Sequence, residues 1–187
     1  MKHNQAIAAF LLIVICIGSL PLLTHQRWTH NSNGNFHVKA RNSIVVDSVE
    51  IIDYGIYEVE HEEQSIPVKT TANGSIQPIT TEILLLQTNH IPYKLGTTFG
   101  FTFIINGHPD KAPINVEVII RHPAFKKTDG TMTTSIDRVP WTYEIGEKSG
   151  YMYTLDNDNE MVSGKWSMEL WHNKKKIIGT SFLVDSK

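Results

Sequence analysis

An antiparallel, immunoglobulin-like β-sandwich behind an amino-terminal hydrophobic signal or anchor helix is the fold this sequence predicts, and three features predict it. Apolar residues recur at period two in several short runs, glycine- and proline-containing turns separate those runs, and no amphipathic helical pattern follows the amino-terminal segment. A closed barrel is the alternative arrangement of the same strands.

The clearest stretch is residues 99–123, FGFTFIINGHPDKAPINVEVIIRHP. Phe99, Phe101, Phe103 and Ile105 share one face of a strand, and Ile114, Val116, Val118 and Ile120 share one face of the next. Asn106-Gly107 tolerates positive φ, and Pro109 and Pro113 interrupt regular pairing, so a looped hairpin is expected.

Before that stretch, the folded part is expected to begin near Ile44, at the head of residues 44–187. Residues 49–59 read as a first strand, with Ile52, Tyr54 and Ile56 on one face and Ile51, Tyr57 and Val59 on the other. Gly55 at its centre suggests a bulge or a close backbone approach. Residues 61–64 form a charged loop, and Asn73-Gly74-Ser75 reads as a turn although it also matches a glycosylation acceptor. The apolar run Ile83-Leu84-Leu85-Leu86 predicts a buried strand, and Leu95-Gly96 turns the chain into the central pair.

Residues 122–140 show little pattern and read as a long excursion; two strands then follow at residues 141–145 and 151–155. Trp166, Met168, Leu170 and His172 alternate with Ser167, Glu169 and Trp171, and residues 173–175 turn into a last strand, which makes a terminal hairpin. Lys174, Lys175 and Lys176 suit a solvated hairpin tip.

The amino terminus is different. Lys2 and His3 precede an apolar run over residues 6–23, a length between a cleaved signal and a membrane span, so residues 1–23 are expected to export or anchor the chain. The cut after Ser19 is poor, with Ile17 upstream and Pro21 close behind, and Ile15 before Cys16 does not suit lipidation; the balance favours an uncleaved anchor with residues 6–23 in the membrane. Residues 24–43, rich in His, Asn, Ser and Gly, read as a flexible tether. Cys16 is the single cysteine, so the exported domain has no disulfide and must be held by packing. A net charge of −2 gives no basic surface for a nucleic acid.

Several landmarks, in order and spacing, resemble a bacterial family known as domain of unknown function 3859. They are Tyr54-Gly55-Ile56-Tyr57; Ile91-Pro92 with Leu95-Gly96 and Phe99-Gly100; His122-Pro123 with Phe125 and Gly130; Trp141 with Tyr143 and Gly146; and Gly164 with Trp166, spanning residues 49–184. The resemblance implies a compact bacterial β domain with no assigned activity or ligand. In that family's pattern the stretch after Trp141 leads to a second tryptophan, where this chain has Gly150-Tyr151-Met152-Tyr153.

Catalytic and metal motifs are absent from the sequence. His90, His108, His122 and His172 form no HxH, HxxxH or HExxH pair, although His108-Pro109 and His122-Pro123 could meet at a sheet end. The run from Asp156 to Glu160 opens like a calcium loop, then fails with Met161 and Ser167 at the two diagnostic positions. No GxSxG or SxxK occurs, and no catalytic residue, metal or cofactor is assigned. Glu144, Glu147, Asp156 and Glu160 are the carboxylates that a glycan hydrolase would have to use near Trp141. Trp141, Tyr143, Tyr151 and Tyr153 cluster in the least regular region, where loops carry recognition. The expected function is therefore a non-catalytic binding or assembly module of the cell envelope. Trp141, Tyr143, Tyr151 and His122 would contact a protein or glycan partner. A glycan hydrolase and a purely structural envelope domain are the alternatives.

Overall fold

The computed structural model describes residues 43–127 and 130–185. The expected hydrophobic segment 1–23, and the tether up to residue 42, lie outside the described residues. Two sheets make the sandwich. One runs β4 (Ile79–Leu86), β1 (Val45–His61), β6 (Thr98–His108), β9 (Lys148–Thr154); the other runs β5 (His90–Pro92), β11 (Lys175–Asp185), β10 (Gly164–His172), β7 (Pro113–Arg121), β8 (Ile136–Glu144). A small hairpin, β2 (Ile66–Pro67) with β3 (Ser75–Ile76), stands apart, and the pairings are antiparallel except between β5 and β11.

The core is the pair of apolar rows read from the sequence. Phe99, Phe101, Phe103 and Ile105 face Ile114, Val116, Val118 and Ile120 across the sandwich, and Trp166, Met168, Leu170, Phe182 and Val184 complete it. The terminal hairpin forms as expected, closed by Asn173 and Lys174 at φ 49° and 64°, the pair of positive values a tight two-residue turn requires.

Three expectations are corrected. First, residues 99–123 are not a hairpin: β6 pairs with β1 and β9, whereas β7 pairs with β10 and β8. Each strand carries a fully apolar face, and an arch between sheets lets those faces meet where a hairpin would set them side by side. Pro109 and Pro113 lack the N–H groups that a hairpin ladder would need at the connection.

Second, β1 slips register between Ile51 and Asp53, so Ile51 joins Tyr54 and Ile56 on the core side while Ile52 is turned out to solvent. Gly55 makes the close approach expected of it, since a Cβ there would lie 2.0 Å from the Leu86 carbonyl oxygen. Third, β4 is an edge strand, and Ile83, Leu85 and Leu86 are each more than half exposed instead of buried. Among the described residues, the strand at the corresponding edge of the other sheet is β5, whose three residues are too few to cover it.

Gly100, opposite Gly55 in the β1–β6 ladder, has a similar constraint: a Cβ there would sit 2.1 Å from the Tyr151 carbonyl oxygen. Gly100→Ala is expected to push β9 off β6 and to lower stability by about 2 kcal/mol in urea unfolding, within the usual range for backbone clashes. An unchanged midpoint would show that β9 yields freely.

Candidate functional site

β8 and β9 are joined by the turn at Ile145-Gly146-Glu147, yet they belong to different sheets and each is the last strand of its own. Hydrogen bonds from Gly146 N–H to Ile105 C=O (2.9 Å), and from Lys111 N–H to Ile145 C=O (3.0 Å), pin that turn to the β6–β7 arch. Among the described residues, the outer edges of these two strands therefore run side by side along one flank of the sandwich.

A third element lies against that flank. The segment 62–78, which connects β1 to β4, leaves a stem closed by Glu62 N–H to Pro78 C=O (2.9 Å) and turns back at residues 71–74. Its tip reaches β8: Arg138 N–H donates to Thr70 C=O (3.0 Å), and Ala72 N–H donates to Asp137 Oδ1 (2.8 Å). Asn73 donates from Nδ2 to Glu160 Oε1. Between this arm, β8 and β9 lies a cleft of about 350 Å³, lined by all seven residues of β9 and by Asn73, Ile76, Gln77, Asp137, Trp141 and Tyr143 among others.

Period-two geometry puts the aromatics there. On β8, Asp137, Val139, Trp141 and Tyr143 alternate inward. On β9, Tyr151 and Tyr153 pack against the core. Tyr143 stands edge-on to Phe103 (5.0 Å between centroids) and donates its hydroxyl to Gly150 C=O (3.3 Å); Tyr153 lies 4.9 Å from Trp166. Burial raises all three tyrosine hydroxyl pKa values well above the ordinary range, helped by Tyr151 for Tyr143, by Asp137 for Tyr151, and by Glu160 and Asp137 for Tyr153. Among the described residues, the Tyr153 hydroxyl is buried without a hydrogen-bond partner. Of the residues singled out from the sequence, Trp141, Tyr143, Tyr151 and Tyr153 are brought together.

His122 does not line the cleft with them. Its side chain is fully buried, stacked on Trp166 (5.0 Å, 26°) and close to Phe125 (5.4 Å). Nδ1 donates to Pro123 C=O (3.0 Å), which leaves Nε2 facing Asp137 Oδ1 at 3.5 Å as an ion pair without good hydrogen-bond geometry. Burial alone would depress the imidazole pKa; Asp137, the Pro123 carbonyl and the more distant Glu160 together raise it above its ordinary value. His108 is the last residue of β6 and precedes the start of β7, whereas His122 follows its end, about 30 Å away along the nine residues of that strand; His108 pairs with Asp47 (3.2 Å), so the two His-Pro dipeptides do not meet.

The carboxylates divide in the same way. Glu144 and Glu147 flank the turn before β9, whereas Asp156 and Glu160 follow it, about 20 Å away along its seven residues. Glu147 pairs with Lys111 (3.9 Å). Glu160 is buried in the one-turn 3₁₀ helix Asp158–Glu160 and accepts from Asn73, Asn157 (2.9 Å) and Asp156 N–H (3.0 Å). Asp156 lines the cleft, and burial followed by the Glu160 charge raises its pKa.

Sequence reasoning missed Asp137 as a site residue. The signal was present: it falls on the inward phase of β8, two residues before Val139, where an unpaired carboxylate would be costly. The arm's role had no such signal, because Thr70, Ala72 and Asn73 reach their partners across 65 to 87 positions.

A family model described as "Domain of unknown function (DUF3859)" matches residues 45–184. Among solved structures, an immunoglobulin-like protein from Pseudomonas aeruginosa is similar at 20% identity and a TM-score of 0.53, with 78% of this chain and 99% of that one covered. An alkylpurine DNA glycosylase of Pseudomonas fluorescens bound to DNA with an abasic site analog scores 0.33 at 13% identity, over 52% of this chain and 28% of that one. A β-D-glucoside glucohydrolase from Trichoderma reesei scores 0.30 at 10% identity, over 71% and 18%. The last two scores are too low to bear on function. Among curated proteins none matches.

Proposed function

The chain belongs to the family called domain of unknown function 3859, and from that premise we propose that it is a non-catalytic binding module of the bacterial cell envelope whose partner enters the cleft between β8, β9 and the arm. One observation carries the reading: two sheet edges and a long arm converge on the same flank and gather Trp141, Tyr143, Tyr151 and Tyr153 around one cleft. Its volume is within the range of about 300–1,000 Å³ usual for ligand clefts. The envelope location rests on the apolar run of residues 6–23 behind Lys2 and His3.

The hydrolase reading has less behind it. A glycosidase sets two carboxylates about 5–10 Å apart across one bond. Here Glu144 and Glu147 lie beyond one end of β9, while Asp156 and Glu160 lie beyond the other, and Glu160 has three donors of its own.

The test is a photoreactive residue at Trp141 in the tagged full-length chain, expressed in a bacterial host, with Lys165 on the exposed side of β10 as control. A dominant adduct, protein or glycan by mass, from Trp141 and not from Lys165 is the expected result. The same products from both positions, or none from Trp141, would refute the cleft as a binding site.

A further inference from the structure

We propose that the partner is an extended polypeptide segment that adds to β9 as a fifth strand of the four-stranded sheet; this deepens the binding reading above and rests on it. The main-chain geometry of β9 points to such an occupant. Leu155 N–H donates to Thr97 C=O (3.0 Å), which fixes the phase of the β6–β9 ladder: odd-numbered residues bond β6 and even-numbered ones turn their N–H and C=O groups away. The ladder continues without a register shift to Lys148, so Gly150, Met152 and Thr154 present their main-chain groups to the free edge. The Tyr143 hydroxyl on the Gly150 carbonyl agrees with this phase.

Proteins usually blunt such an edge with proline, a bulge, a charge or a covering segment. β8 is treated that way. Arg138 has its N–H and C=O occupied by Thr70, and Pro140 has no N–H to offer. β9 has no proline and no bulge, and its one charge, Lys148, is its first residue. Its open edge lies inside the cleft, with the arm on one side and Trp141 and Tyr143 on the other. β4 is also an edge, but its apolar side chains lie in the open.

The walls define the partner's sequence. Side chains on the core side of an added strand would meet Trp141 and Tyr143, and those on the other side would meet the face that carries Lys148 and Glu82. Lys148 is already shared between Asp53 (3.8 Å) and Glu82 (4.0 Å), so Glu82 and Asp156 leave the lining with an acidic excess. The segment that fits is about five residues long, alternates apolar with polar residues, and has Lys or Arg among the polar ones.

A phage-displayed library of random decapeptides, selected on the immobilised full-length chain, supplies the probe. The most enriched peptide is then synthesised plain and with N-methyl groups on either alternate set of residues. The expected result is an alternating apolar and basic sequence whose affinity falls about tenfold or more when one alternate set is methylated and not the other. Amide exchange at Gly150, Met152 and Thr154 should slow by about tenfold in the complex. No enrichment, or bound peptides that leave those three amides exchanging as before, would overturn the proposal. A Trp141 adduct together with unprotected amides, or an adduct that is a saccharide, would leave the binding cleft standing and remove strand addition alone; absence of both adduct and peptide would remove both.

Discussion

Asp137→Ala is expected to lower stability in urea unfolding by about 3–5 kcal/mol, because it removes the counter-charge of the buried His122 imidazolium, which must then shed its proton or stay unpaired in the core. His122 and Asp137 have almost no exposed side-chain surface. Since Nδ1–H is committed to the Pro123 carbonyl, the Nε2 side must meet Asp137, and it does so favourably only when it carries a proton. The substitution also strips Ala72 N–H of its acceptor, which unpins the tip of the arm. Asp137→Asn keeps the volume and an acceptor and should cost less.

The same pair predicts how stability varies with pH. The folded-state pKa of His122 is raised, so the ion pair contributes fully below the ordinary histidine value of 6.5, and its contribution is lost as pH rises through the folded value. Above that point a lone pair on Nε2 faces a carboxylate oxygen in the core. Urea unfolding of the wild-type chain from pH 5 to pH 9 should therefore show stability declining as pH rises above the ordinary histidine value, and His122→Gln should flatten that decline. An identical slope in the variant would assign the effect to other groups.

Period-two spacing was enough to read the core, because each β6 and β7 apolar face repeats without error and both proved buried. What spacing does not specify is which strand lies beside which. A hairpin and an arch place the same alternation on the same residues, and only the pairing partners, β1 and β9 for β6 against β10 and β8 for β7, distinguish them. The bulge at Ile51 defeats a period-two reading for a related reason: one extra residue reverses every assignment beyond it, and nothing in Ile51-Ile52-Asp53 marks it. The exposed run in β4 misleads because hydrophobicity records a preference, while burial needs a cover that the short β5 cannot give.

The grouping of the aromatics at the candidate cleft was legible to the extent that it is local. Trp141 and Tyr143 share one strand, Tyr151 and Tyr153 share the next, and a single turn brings them together. His122 was misplaced because a histidine before a proline at a strand end looks the same whether the loop opens to solvent or folds under a tryptophan. The buried Asp137 decides between these, and its meaning depends on a partner at Ala72 that only the folded arm supplies.

Phe99→Ala is expected to cost about 3–5 kcal/mol as well, through a different mechanism with a separate consequence for the cleft. Phe99 has no exposed surface and stands at the meeting of both sheets, edge-on to Trp166 (5.7 Å, 88°) and to Phe182 (5.2 Å, 69°), with Tyr153 at 6.2 Å. Removing the ring leaves a cavity behind Tyr153, one of the cleft's own aromatics, so cleft geometry and global stability should fail together. Asp137→Ala separates them: it removes the acceptor that pins the arm at Ala72 while leaving these ring contacts in place. Urea midpoints read beside Trp141 crosslinking on both variants distinguish the two routes. If Phe99→Ala lowers the midpoint but leaves the Trp141 adduct intact at a pH and temperature where the chain is folded, the cleft is shaped by the arm and the strand edges alone. If the adduct is lost with the ring, the packed interior behind Tyr153 is part of the site.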